Sequence, residues 1–397
     1  MTYSNGRHYL ATPGPSILPD RVLQAMQRPA PNIYKGELID ITFDIKQNIS
    51  EFAQTTGETI IYVSNGHGVW EASLVNLFKP GDEVLVLVNG HFGNSWAEMA
   101  KNLGIKVQIL DFGKIAAADP NQLEETLKAD YKHKIKGLLV VHADTSTSVR
   151  NNLQEIGDAI KAAKHPCLYL VDCIASFGCD RVEMDKWGID LIVTGCQKGL
   201  MTPPGLAYII LNKKALETSK KLENVSPYWD WKTRCDPKRF YMNFFGTAPT
   251  HLLYAQHEAL VMMREEGRES IFLRHQKMRE LVTGAISHWG REGPLRLLVE
   301  DDKNRSNAVT TFYTDGFDMS NLKNWIETNL GLTIGISLGF EDDNFLHENS
   351  VARIGHMGHT NPHMILGVIS CLEVAFKIFN VPHEPCAVEQ LSHILVD

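Results

Sequence analysis

Seven short runs of β-branched and aliphatic residues, separated by stretches of helical period, limit what this chain can fold into more than any other feature. They fall at residues 60–64, 83–88, 106–112, 137–143, 167–172, 191–195 and 206–211, with helical patterns at 69–78, 94–103 and 152–163. Runs this apolar belong to strands covered on both faces, so the pattern predicts an α/β domain with a mostly parallel, seven-stranded sheet between helices. Ligands of such sheets bind beyond the carboxyl ends of the strands. The residues just after each run are therefore where chemistry is sought.

The rest of the chain reads differently. A Trp- and Phe-rich irregular region, 225–246, is followed by a long helical stretch, 249–289. Strands at 295–299 and 308–313, a helix at 319–330, strands at 332–338 and 351–354 and a helix at 363–379 then suggest a small C-terminal α+β domain. The acidic loop 340–349 has no purpose that the sequence reveals. The net charge of −8 supplies no basic excess for binding nucleic acid or anionic lipid. Neither the N-terminus, MTYSNGRHYLATPGP, nor any later stretch has the apolar run of a secretory signal or a membrane span, which predicts a cytoplasmic protein. Seven scattered cysteines without paired spacing suggest neither a disulfide framework nor a zinc site, and are read as reduced thiols, mostly buried.

Four elements at strand ends carry chemistry. CLYLVD ends an apolar strand on Asp172, and a carboxylate there is costly to bury unless a cation, such as a protonated pyridine nitrogen, meets it. The next strand, LIVTG, runs into GCQKGL and places Lys198 at the same sheet edge, where desolvation and nearby cations would ready its amine for an imine. The turn SNGHG opens a helix whose N-terminal amides and dipole attract phosphate. Arg353, in VARIGHMGH, offers a fork that can clamp a carboxylate. Taken singly, each has a plainer reading: a helix cap for Asp172, a surface charge for Lys198 or Arg353, simple turn geometry for SNGHG. His356, His359 and His363 have metal-like spacing, yet HMGHTNPH reads as strand, loop and helix start, so no metal is expected.

In this order the four elements resemble the class V branch of the fold type I pyridoxal-phosphate enzymes, most of all the serine–glyoxylate and alanine–glyoxylate aminotransferases. The likeness runs through TPGPSILPDRVLQAM, SNGHGVWEASLVNLFKPGDEVLV, AAKHPCLYLVDCIASFG, MDKWGIDLIVTGCQKGLMTPPGLA and RIGHMG. It implies pyridoxal 5′-phosphate as cofactor, held as a Schiff base on Lys198, with Asp172 paired to the pyridine nitrogen. It further implies that Asn65, Gly66, His67 and Gln197 contact the phosphate, that Phe92 stacks on the ring and that Thr145 sits near the phenolic oxygen. Thr247 matches a residue that reaches the neighbouring subunit's cofactor, which implies a homodimer with active sites at the interface. Arg353 matches the carboxylate-binding arginine. The implied division is an N-terminal segment contacting the active site (1–20), a large cofactor-binding domain (21–260) and a small domain (261–397).

The implied reaction moves an amino group from a small amino acid to glyoxylate or pyruvate by a ping-pong mechanism. Two departures bear on the donor. PNIYKGEL stands where serine–glyoxylate members usually carry an HRSP-type segment, which makes Tyr34 and Lys35 candidates for side-chain selection, and HADTSTSV replaces an HNETATGV-like pattern. RIGHMG and the pair Asp144–Thr145 resemble a pyridoxamine–pyruvate aminotransferase and leave it open as an alternative, although Gln197 and the SNGHG turn favour a bound phosphate cofactor. A lyase or desulfurase of this fold would need a mobile cysteine, whereas Cys371 lies in an apolar helical pattern and Cys386 in the C-terminal tail.

Overall fold

The computed structural model describes residues 4–223, 225–341 and 346–396; residues 342–345 of the acidic loop lie outside the described residues. The chain begins with β1 (Tyr9–Ala11), α1 (Asp20–Ala25) and α2 (Glu37–Phe52). A regular alternation follows: β2 (Glu58–Ser64), α3 (Gly66–Leu77), β3 (Glu83–Val88), α4 (His91–Asn102), β4 (Lys106–Asp111), α5 (Pro120–Ala129), β5 (Ile135–Val141), α6 (Leu153–Ala162), β6 (Leu168–Asp172), β7 (Leu191–Gly195) and β8 (Gly205–Leu211). Then come α7 (Lys213–Ser219), α8 (Trp231–Cys235), α9 (Thr250–Glu266), α10 (Arg268–Trp289), β9 (Leu295–Leu297), β10 (Val309–Thr314), α11 (Ser320–Leu330), β11 (Leu332–Ile334), β12 (Val351–Gly355) and α12 (Pro362–Ile378).

β2 to β8 form one sheet in the spatial order β2-β8-β7-β6-β5-β3-β4, in which only β8 runs against its neighbours. Because side chains alternate along a strand, each strand feeds two cores. Leu85, Leu87, Tyr169 and Val171 point into one, with α2 and α9; Val84, Val86, Leu168 and Leu170 point into the other, with α3 and α4. The parallel strands all end at one edge, so Ser64, Val88, Val141, Asp172 and Gly195 mark a single rim. A third core lies between α10, α11, α12 and an antiparallel sheet, β12-β10-β9. β1 pairs in parallel with β11, Tyr9 opposite Leu332, which ties the N-terminus to this C-terminal part.

The seven runs emerge as the seven strands of the sheet, with ends shifted by two residues or fewer. The long helix expected at 249–289 is instead two helices, because Gly267 takes φ +85° between α9 and α10. α2 was not anticipated, although Leu38, Thr42, Ile45 and Ile49 bury one face at helical spacing.

The irregular segment after α7 is tied down by Tyr62 and Asn76, which donate to the Trp229 carbonyl, and by a buried arginine. Arg234 is 1% exposed, forms no ion pair among the described residues, and donates to the carbonyls of Ile61 (3.1 Å), Asn243 (2.7 Å) and Tyr228 (2.8 Å). Its guanidinium also lies 4.3 Å from the Tyr62 ring centre, where the ring face offsets part of the desolvation cost. Arg234→Met, which keeps the apolar stem and removes the fork, is expected to lower stability by about 3 kcal/mol, since it strands buried carbonyls. Urea unfolding monitored by circular dichroism checks this; an unchanged midpoint would show that the fork is not what holds the segment.

Candidate active site

The rim of the sheet brings most of the singled-out residues together. Asn65, Gly66, His67, Phe92, Thr145, Asp172, Gln197 and Lys198 line one cavity of about 230 Å³. Each arrives there from a strand end. Asn65 follows β2 and caps α3, its side chain accepting from the Gly68 N–H at 3.3 Å. Gly66 opens the helix with no room for a side chain, because a Cβ would run into Ile174. Gly66 and His67, at the N-terminus of α3, line the cavity, and the helix dipole favours an anion at that end.

Asp172 ends β6 fully inside the protein. Its carboxylate accepts from the Ile174 N–H at 2.6 Å and from the Trp70 indole N–H at 2.9 Å. Burial dominates, pushing the carboxyl up to about 7, while these two hydrogen bonds pull it back. Lys198 lies three residues past β7, and its amine donates to the Pro13 carbonyl of the N-terminal segment. Burial first, then the Arg353 guanidinium, lower this amine to about 8; Asp172 opposes them. The segment 13–14 hugs the lysine closely, since a Cβ on Gly14 would come within 2.5 Å of Lys198 Cδ, Cε and Nζ. An amine so lowered is available uncharged near neutral pH, as a nucleophile toward a carbonyl compound or as a base.

Gln197 brings a buried side-chain oxygen with no partner among the described residues. Phe92 stands at the start of α4, its N–H donating at 2.8 Å to Asp144, which also accepts from Gly93 and Ser146. Arg353 comes from β12, opposite Thr311 of β10, and is 7% exposed. It donates to the Thr145 carbonyl at 2.8 Å and to the Ile336 carbonyl at 2.6 Å. A guanidinium has five N–H donors, so the fork keeps capacity for a further acceptor.

Four singled-out residues are not among those lining this cavity: Arg353, which meets it through the Thr145 carbonyl, and Tyr34, Lys35 and Thr247. Tyr34 is 76% exposed on the turn before α2, and Thr247 is exposed after the aromatic segment; neither lines the cavity of its own chain. Both ring nitrogens of His356 are engaged inside the protein, with the Asn307 carbonyl and Thr310 at 2.9 Å each. Among the described residues no group of three or more His, Cys, Asp or Glu could hold a metal.

Comparison with known proteins decides the class. The family model for aminotransferase class V matches residues 8–340. The chain belongs to the class V aminotransferase family. It is a transaminase by that membership, and the family implies pyridoxal phosphate. The chain is 33% identical over 382 residues to a serine–glyoxylate aminotransferase of Methylorubrum extorquens, covering 93% of this chain and 91% of that protein. Among solved structures, ureidoglycine–glyoxylate aminotransferase from Bacillus subtilis superposes with a TM-score of 0.89 at 26% identity, covering 99% of both chains. Pyridoxamine–pyruvate aminotransferase from Mesorhizobium loti has a TM-score of 0.88 over 100% of this chain and 99% of that one; at 22% identity it shows the fold alone.

The sequence reading did not single out Trp70 or Ile174. Trp70 has a legible signal, since it lies one turn beyond Gly66 on the helix that the SNGHG turn opens. Asp144, which with Ser148 marks the departure in HADTSTSV, accepts from Phe92, Gly93 and Ser146 beside the cavity.

The electrostatics of Lys198 yield a prediction that needs no turnover. After reductive methylation with ¹³C-formaldehyde, the Lys198 resonance of the cofactor-free enzyme is expected to titrate near pH 8, well below other lysines. Arg353→Met should raise that midpoint and Asp172→Asn should lower it, because the first removes a like charge and the second an opposite one. A midpoint near 10.5, or shifts of the reverse sign, would contradict this arrangement.

Proposed function

We propose that this transaminase uses pyridoxal 5′-phosphate bound at Lys198 to carry an amino group from a small amino acid to glyoxylate or pyruvate by a ping-pong mechanism. The observation that carries the reading is a buried amine and a buried carboxylate on one sheet rim, beside the open N-terminus of α3. A pyridinium ring with an anionic arm suits those three features. Asp172 would meet the ring nitrogen, the amides of Gly66 and His67 with Asn65 and Gln197 would meet the phosphate, and Phe92 and Thr145 would flank the ring. Gln197 lines the cavity, and its amide N–H group is the part that can donate to a phosphate oxygen.

Bound in this way, the cofactor supplies a conjugated system that takes up the electrons left when Cα loses its proton. The protein does the rest. Lys198 would hold the cofactor, and its amine, lowered to about 8 when an incoming amino group has displaced it, would carry the proton taken from Cα. Asp172 in its ionised form keeps a proton on the ring nitrogen. Arg353 binds the α-carboxylate through the edge of its fork not given to Thr145 and Ile336.

The relatives support the substrates: several, including the one from M. extorquens, are glyoxylate aminotransferases by name. We further propose a homodimer. Thr247, Tyr34 and Phe245, the last 47% exposed, lie away from their own cavity, where a second copy would use them, with Tyr34 helping to choose the donor side chain. Among the described residues no helix is long and apolar enough to cross a membrane, and free cysteines suit a reducing compartment, so we assign the cytoplasm.

Kinetics with several amino donors against glyoxylate and pyruvate test the assignment. Lys198→Ala should abolish transfer, and full turnover by it would refute the role of the lysine. Arg353→Ala should weaken every donor and acceptor by roughly tens to thousands of fold, since truncating one partner of a buried charge pair costs on the order of 2–5 kcal/mol. Tyr34→Ala should reorder donors without a uniform loss. An Arg353→Ala enzyme that handled some α-amino acids normally would show that the carboxylate binds elsewhere.

A further inference from the structure

Trp70 is 1% exposed and lines the same cavity as Lys198. It lies four residues after Gly66, so both occupy one face of α3, and helical side chains lean back toward the N-terminus. The indole is thereby carried to the strand rim, where its N–H meets Asp172 Oδ2 at 2.9 Å. Trp70 is also the ring that the neighbouring walls share. Its centre lies 4.8 Å from that of His67 at 65°, 6.3 Å from Phe92 at 68°, and 5.7 Å from Trp96 in a stack of 13°. The stack on buried Trp96 fixes the plane of the indole and so the direction of its N–H.

We infer that Trp70 is a positioning residue that acts through Asp172, holding the carboxylate charged and oriented for the ring nitrogen of the bound cofactor. This rests on the pyridoxal-phosphate reading above. A carboxylate has room for more than two donors, so the hydrogen bonds from Ile174 and Trp70 leave acceptor capacity for the ring. Other groups bearing on Asp172 pull both ways. Asp144, on the loop after β5, disfavours its charge, Lys198 favours it, and burial opposes it most strongly. The Cys173 thiol beside it is held protonated by burial. With the carboxyl raised to about 7, loss of one donor tips it further toward the neutral form.

The test uses cofactor-free protein and a double-mutant cycle. ¹³C-carboxyl aspartate labelling, with Asp172→Asn to assign the resonance, reads the protonation midpoint of Asp172. Equilibrium titration with pyridoxal 5′-phosphate at pH 6, below both midpoints, where a one-unit shift changes the ionised fraction about tenfold, reads its affinity. Trp70→Phe should move the midpoint up by roughly one pH unit and weaken the cofactor about tenfold, the size expected for one hydrogen bond to a charged group. Adding Trp70→Phe to Asp172→Asn should then cost less than about twofold, because the partner is already gone. A packing role alone predicts an unmoved midpoint and the same loss in both backgrounds, and either result would overturn the inference. If Trp70→Phe loses its circular dichroism signal, β-(3-benzothienyl)alanine at position 70 replaces the N–H by sulfur at nearly constant shape and is read in the same way. Wild-type protein that takes up no pyridoxal 5′-phosphate would defeat the cofactor reading and this inference with it. Uptake by the wild type, combined with an unmoved midpoint in the variant, would defeat only the role of Trp70.

Discussion

The burial of two ionisable groups on one sheet rim is the constraint on which the rest of this structure depends. A carboxylate at the end of β6 and an amine just past β7 each carry a desolvation penalty that no ordinary surface loop would impose. The fold answers with specific partners: the Ile174 amide and the Trp70 indole for Asp172, the Pro13 carbonyl for Lys198. The result is a pair tuned toward each other, one up to about 7 and the other down to about 8. An amine lowered in this way is available to move a proton near neutral pH, while the carboxylate's part is to stay charged.

The parallel topology makes this placement possible. Strands that all end at one rim deliver five loops to one cavity without any of them having to cross the sheet. The third core completes the enclosure. β1 is stitched to β11, so the segment at 13–14 must pass across Lys198 on its way to α1, and β12 sets Arg353 behind Thr145. Site closure therefore depends on residues at both ends of the chain, through contacts across roughly 185 to 208 positions of sequence.

Much of this was legible in the sequence. Strand runs declared themselves because both faces are buried, and the strand-end positions of Asp172, Lys198 and the SNGHG turn follow from those runs. What the sequence concealed was of two kinds. Short or interrupted elements lack enough residues to show a period, as with the three residues of β1, or hide a break such as Gly267 inside a continuous helical pattern. Residues that act through another residue carry no motif of their own: Trp70 reads as core, and only the direction of its N–H reveals a partner. Tyr34 and Thr247, which have site roles by resemblance, lie exposed outside their own chain's cavity, and nothing in their local pattern marks that.

The central claim is that Lys198, among all the lysines of the chain, is the covalent anchor of the cofactor. Incubation with pyridoxal 5′-phosphate, borohydride reduction and peptide mass spectrometry test it most directly. The account predicts stoichiometric phosphopyridoxyl labelling of the peptide containing Lys198, with other lysines labelled weakly and in proportion to reagent excess. Stoichiometric labelling at a different lysine, or none anywhere in the folded protein, would contradict it.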